Sequence, residues 1–437
     1  MRGSSVFTRK GMDDFNRQFS EQQSFDMHEI SPNKPQKTKS RFGVGFVVGI
    51  AVGIAIAMAG LVVYGLITYK RVMEITSGQT AYSYDSYEDK INSILQYLGA
   101  YYDGEIDEQA VEDSIASGVL NGIGDRYAKY YSKEEFQRMM EDSSGEYSGV
   151  GISVILDEDG RIVVYKVFPG TPAEAAGVHA MDVIVEANGV RDFEDLDSLV
   201  AIVRGEEGTT VDITFARGEE EFKATLERKT IITPSVEIRM LDNNIGYLSI
   251  SSFDKATVSQ FNDALKALED QGMEALIIDV RDNPGGDYDA VVAMADRVLP
   301  AGTIITTRNK EGIVKEETSD EEHQVTVPMA VLINANTASA AELFSGAIQD
   351  YHLVYIVGQT SYGKGVVQSI FRLNDGSGMK FTTETYYTPS GRCVDGEGVI
   401  PDYPVEISEE AYEDGVITDE EDLQLQKAIE LLSGTQE

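Results

Sequence analysis

Val327–Gln368 reads VPMAVLINANTASAAELFSGAIQDYHLVYIVGQTSYGKGVVQ, and this stretch decides how the rest of the chain is read. Ala330–Ile333 is a short apolar run of strand type, Asn334–Thr337 are turn residues, and Leu343, Ala347 and Ile348 follow at helical spacing. Ser339 therefore stands at a helix start, where unpaired backbone N–H groups favour an anion. Two readings are open from the residues alone: a helix cap or an exposed nucleophile. Lys364 lies between glycines in SYGKG, with no local side chains to lie along. Lowering a lysine from ~10.4 to about 7 takes roughly 4–5 kcal/mol, within the range that burial supplies. A neutral lysine takes a proton from a serine hydroxyl, so Ser339 and Lys364 are a candidate Ser-Lys dyad. Of the four histidines only His352 is a rival base. It ends the helix that Ser339 begins, ~20 Å away, and so points at the wrong end.

The runs ANTASAAE and SYGKGVVQ resemble the carboxyl-terminal processing peptidases, also called tail-specific proteases. In that family the serine lies in a small-residue turn before Glu, and the lysine follows in a TFGKG-like loop. The resemblance implies Ser339 as nucleophile, Lys364 as general base, Gln368 as the residue orienting the lysine, and no metal or other cofactor. Thr337 and Ala341 stand where serines are common, and Ser361-Tyr362 replaces Thr-Phe, but no catalytic atom is lost. On a straight strand Gln368 lies ~13 Å beyond Lys364, so contact between them requires a bend near Gly363–Gly365. RDNPGGD follows an apolar strand and is close to the family's LRxNPGG run. Gly285, Gly286 and the N–H of Ala340 are the oxyanion-hole candidates, a plain glycine turn being the other reading. Asp282 and Asp287 flank this loop as solvated carboxylates.

Against 36 basic residues the chain has 74 acidic ones, a net charge of -38 that argues against a nucleic-acid partner. One cysteine, Cys393, excludes an internal disulfide. Residues 1–41 read as a polar tail. Phe42–Tyr69 is 28 residues without a charge, ~42 Å as a helix and long enough to span a bilayer as an uncleaved anchor. Lys34, Lys37, Lys39 and Arg41 precede the span, which puts the tail in the cytoplasm and the body outside. Gly45, Gly49 and Gly53 form a GxxxGxxxG stripe that suits helix self-association and a homodimer.

Residues 70–145 read as a linker and a helical region, with helical spacing at Ile91, Ile94, Leu95 and Leu98 and again at Val111, Ile115 and Val119. GDRYAKYYSKEE resembles the family's LDPYSxYLxxEE, a region the family uses in dimerisation. Residues 146–230 read as a β-rich domain with one helix at Leu196–Val203. Gly149-Val150-Gly151-Ile152 resembles the carboxylate-binding loop of PDZ domains, and PGTPAEAAG with DVIVEANG resembles their later signature. Leu199 and Val203 would line the groove, implying substrates with apolar C-termini, or would belong to the core. Arg204 ends this helix, a place for a residue coupling groove to active site. Residues 231–405 alternate strands and helices as an α/β peptidase domain. Residues 309–323 look like an exposed acidic insertion, and the acidic tail 406–437 ends in a helix, Leu423–Leu432, that packs on the body or on a second subunit.

The expectation is a multidomain α/β chain with a single transmembrane helix, a helical segment, a PDZ domain and a Ser-Lys peptidase domain. It would be a membrane-anchored endopeptidase that acts outside the cytoplasm on protein C-terminal tails. The rival readings are a silent PDZ scaffold and a dedicated signalling protease with one partner.

Overall fold

The computed structural model describes residues 86–322, 324–407 and 417–434. The expected membrane span lies outside them, and among the described residues no helix is long and apolar enough to cross a membrane. Helix α1, Tyr87–Tyr101, belongs to one unit by itself and starts where the Ser86 hydroxyl accepts the Asp89 N–H.

The second unit begins with α2 (Glu108–Gly122), β1 (Lys129–Tyr131) and α3 (Lys133–Ser144). A capping box starts α3: the Ser132 hydroxyl accepts the Glu135 N–H, and the Glu135 carboxylate accepts the Ser132 N–H. Strand β2 (Glu146–Gly149) then leads into the PDZ-like domain, which comprises β3 (Ile152–Leu156), β4 (Ile162–Val167), α4 (Pro172–Ala175), β5 (Val183–Ala187), α5 (Leu196–Val203), β6 (Thr210–Arg217) and β7 (Glu220–Glu227). The five strands form one antiparallel sheet in the order β3-β4-β5-β6-β7. Val211, Ile213 and Phe215 alternate inward from β6, the period expected of a half-buried strand. Arg228 bonds the carbonyls of Ile202 and Val203, which the end of α5 leaves open. β8 (Lys229–Ile232) returns to pair with β2, so the domain enters and leaves through one two-stranded ribbon.

The peptidase-like body follows: β9 (Val236–Met240), β10 (Ile245–Ile250), α6 (Lys255–Asp270), β11 (Ala275–Asp279), α7 (Tyr288–Asp296), β12 (Gly302–Asn309), β13 (Val314–Ser319), β14 (Met329–Ile333), α8 (Ala340–Asp350), β15 (Val354–Gly358), β16 (Val366–Arg372), β17 (Gly378–Tyr387), β18 (Tyr403–Pro404) and α9 (Leu423–Ser433). Its central sheet runs β18-β15-β14-β11-β10-β9, parallel except at β9. β11 and β14 are buried along their whole length, which is why they read as apolar runs, broken only by Asp279 at the end of β11. A second sheet, β1-β17-β12-β13 with β16 on β17, draws β1 from the segment before the PDZ-like domain.

The acidic stretch 309–323 is largely exposed, as expected, and β13 lies within it, paired antiparallel with β12. Its V-K-E-E-T-S run carries no apolar alternation because it is an edge strand held by the backbone ladder. Helix α9 packs on the body, burying Leu425, Ala428 and Leu432 against the central sheet. Arg281 anchors it by pairing with both Asp279 and Asp422 at 2.6 and 2.8 Å. Asp422 also caps α9 by accepting the Leu425 N–H. Asp422→Ala should loosen this docking by roughly 2 kcal/mol, read as ~30-fold lower hydrogen-exchange protection in α9. Unchanged protection would contradict it.

Candidate active site

Three loops at the carboxyl ends of β11, β14 and β15 converge. The turn after β14 is fixed by Thr337, whose hydroxyl donates to Val280 O, and by the Ala338 N–H, which donates to Asn283 O. Ser339 closes it with φ 55° and ψ -116°. A non-glycine residue there costs about 1–3 kcal/mol and persists only where its surroundings enforce it. Two bonds do so: Tyr386 Oη–H donates to Ser339 O at 3.2 Å, and the Ser339 N–H donates to Glu342 Oε2 at 2.8 Å.

Glu342 is wholly buried in α8, and its carboxylate takes four donors. Oε2 accepts the N–H groups of Ser339 and Lys364, both at 2.8 Å, and Oε1 accepts the Gly363 N–H at 2.6 Å and the Ser361 hydroxyl at 2.5 Å. One side chain thus ties the serine turn to the SYGKG loop. Sequence reasoning noted this glutamate only as the residue after the turn. The signal was a charge in the first turn of a helix whose other residues up to Ile348 are small or apolar.

In the RDNPGGD loop the Asn283 amide is buried, donates to Ile250 O and accepts the Gly285 N–H at 2.8 Å. Gly285 packs on the serine turn so closely that a Cβ would lie 2.8 Å from Ala338 O and Ala340 N. The N–H groups of Gly286 and Ala340, by contrast, have no acceptor among the described residues. Ser339, Gly286, Ala340, Gln368 and Tyr386 line one cavity of about 210 Å3. Of the two glycines, Gly286 keeps the free donor. Asp282 accepts the side-chain amides of Asn334 and Asn336, and Asp287 caps α7.

Lys364 and Gln368 are placed otherwise than expected. No hydrogen bond joins Lys364 to Ser339 or to Gln368, and the Gln368 amide instead donates to Val366 O at 3.2 Å. A bulge between Val367 and Gln368 turns the strand there. Lys364 Nζ rests 4.7 Å from the centre of the Tyr127 ring, in a separate cavity that Gln368 also lines. Burial, then repulsion from Lys380, holds the amine below the usual lysine range, against the pull of Glu342 and Asp125. Tyr127 comes from GDRYAKYY, a run matched in sequence without a role for its tyrosine. Asp125 secures it by accepting the N–H groups of Tyr127 and of Thr382 on β17.

Val150, Gly151, Ile152, Leu199 and Val203 line a cavity of about 480 Å3 between β3 and α5. The residues expected there therefore do meet, although Leu199 and Val203 are also buried. Gly149 ends β2 just before this loop. Gly151 has φ 85°, and a Cβ there would strike Thr171 at 2.3 Å. Arg204 lies at the same cavity, 4.6 Å over the Tyr147 ring and paired with Glu141 and Asp142 of α3.

Peptidase family S41 matches residues 244–405, and the PDZ domain matches residues 148–227. The carboxy-terminal processing protease CtpA of Bacillus subtilis (strain 168) is 31% identical over 341 residues, covering 77% of this chain and 73% of that protein. A probable CtpA-like serine protease of Staphylococcus aureus (strain COL) is 31% identical over 322 residues, 73% of this chain and 64% of that one. Among solved structures, the photosystem II D1 C-terminal processing protease is similar at 26% identity and a TM-score of 0.43, covering 72% of this chain and 86% of that chain.

Glu342→Gln replaces an acceptor-only carboxylate with an amide that brings two donors to four donors. It should lower kcat by roughly 100-fold, the scale of a 1 Å misplacement. A kcat within threefold of wild type would show that the two loops do not depend on this carboxylate.

Proposed function

Because the chain belongs to peptidase family S41, the carboxy-terminal processing serine proteases, and carries a PDZ domain, we propose that it cleaves protein substrates recognised by their C-terminal tails, with Ser339 as nucleophile. The observation that carries this reading is the strained Ser339 turn, which shares a cavity with the two free N–H donors of Gly286 and Ala340.

In this reading the neutral Lys364 amine takes the proton from Ser339 Oγ as the oxygen attacks the scissile carbonyl. The carbonyl oxygen becomes an oxyanion held by Gly286 and Ala340. Lys364 gives the proton to the leaving amine, an acyl-enzyme remains on Ser339, and water activated by Lys364 releases it. The resting pose on Tyr127 requires the lysine head to swing toward Ser339 first. Its cation–π contact there, about 0.5–2 kcal/mol, exists only while the amine is protonated, so the neutral form leaves the ring by a side-chain rotation. Gln368, which lines both cavities, orients the amine once it arrives.

The apolar C-terminal residue of the substrate lies against Leu199 and Val203, and its carboxylate meets the Gly149–Ile152 loop. Phe42–Tyr69 anchors the chain in the cell membrane with this body outside the cytoplasm.

Intact-mass analysis of a protein with an apolar C-terminus, incubated with the full-length chain, tests the proposal. Truncation by wild type and none by Ser339→Ala is the expected result, whereas equal truncation by both would overturn it. The pH dependence gives a second test. The working form of Lys364 is neutral, so kcat/KM rises with pH through its depressed ionisation. Lys380→Gln removes a repelling charge, raises that ionisation and moves the acid limb to higher pH. A limb that stays in place would argue against Lys364 as the base.

A further inference from the structure

The cavity that holds the Lys364 head carries charges that the hydrolytic steps do not use. It measures about 1020 Å3 and is lined by Arg126, Lys129, Lys364 and Lys380, with Ser114 and Asn121 of α2 opposite. Lys129 and Lys380 are direct partners across the antiparallel β1–β17 pair. Their Nζ atoms lie 4.8 and 5.8 Å from the same Tyr131 ring. Like charges facing one another on paired strands destabilise a sheet.

Two carboxylates, Asp113 and Glu135, line the same cavity, and they and the nearby Asp125 are bonded to neutral donors. Asp113 accepts the Tyr130 hydroxyl, Glu135 accepts the Ser132 N–H, and Asp125 accepts the Thr382 and Tyr127 N–H groups. Arg126, Lys129 and Lys380 make no ion pair among the described residues, in a chain with 74 acidic residues. Beside them the Tyr127 hydroxyl and Thr382 Oγ1 are buried without a hydrogen-bond partner. A sheet that places like charges together and leaves them unpaired departs from its own local rules, as functional sites do.

We propose that this cavity receives acidic side chains of the polypeptide substrate beside its scissile bond, an inference that rests on the peptidase reading above. Gln368 lines both this cavity and the one containing Ser339, so a chain seated at the serine continues into the basic space. A carboxylate between Lys129 and Lys380 relieves their repulsion, and Arg126 offers a planar fork for a second. Selectivity of this kind comes from partly solvated charges, so it is modest and falls with salt.

The test uses the full-length protein and three peptides with one shared apolar C-terminus, carrying Asp and Glu, Ser and Asn, or Lys around the cleaved bond. Both kcat/KM and binding to Ser339→Ala, followed by fluorescence anisotropy, are measured. The acidic peptide is expected to be favoured over the neutral one by about fivefold to tenfold, less so at high salt. The preference should vanish in Lys129→Gln/Lys380→Gln and turn toward the Lys peptide in Lys129→Glu/Lys380→Glu. Equal rates and equal binding of acidic and neutral peptides by the unsubstituted cavity would overturn the inference, as would a preference that survives charge reversal. Tighter binding of the acidic peptide with no cleavage of any peptide would support the cavity and overturn the peptidase reading alone.

Discussion

The carboxylate of Glu342 is the interaction on which the rest of the site depends. A buried carboxylate is costly unless its lone pairs are met, and here four donors meet them, three from the backbone and one from Ser361. Those donors come from two loops that follow different strands of the central sheet. The serine turn and the lysine loop are therefore held in one frame, and the strain at Ser339 has something to push against. The RDNPGGD loop joins the same frame through Asn283 and through the close approach of Gly285, which only a glycine permits.

Within that frame the Lys364 backbone is fixed while its four-carbon stem leaves the head free to choose between Tyr127 and the serine. The tyrosine belongs to the segment before the PDZ domain, which reaches the catalytic body through β1 and through Asp125 on Thr382. The state of the proposed base is thus set by a segment distant in sequence, and the PDZ groove abuts α3 of that segment through Arg204. Groove, helical segment and lysine form a physically continuous chain of contacts.

Most of the architecture was legible because its elements carry strong local signals. The apolar runs of β11 and β14, the alternation of β6 and the glycine loops each declare themselves within a few residues. Ser339, Gly285, Gly286 and Ala340 fall together as their turn chemistry suggests. What the sequence withheld depends on contacts between distant segments. The hub role of Glu342 needs donors from residues 361–364, Tyr127 and Lys380 lie far from Lys364 along the chain, and β13 is an edge strand whose pairing leaves no apolar trace. Gln368 shows the limit of period counting, since a bulge redirects it.

The central claim is that Ser339, held by Glu342, is the atom that takes the acyl group. Rapid acid quench of the full-length protein turning over a tail-bearing substrate, followed by peptide mapping, tests it most directly. The account predicts an added acyl mass on the peptide containing Ser339 and on no other. An adduct on a different residue, or substrate truncation with Ser339 never modified, would contradict it.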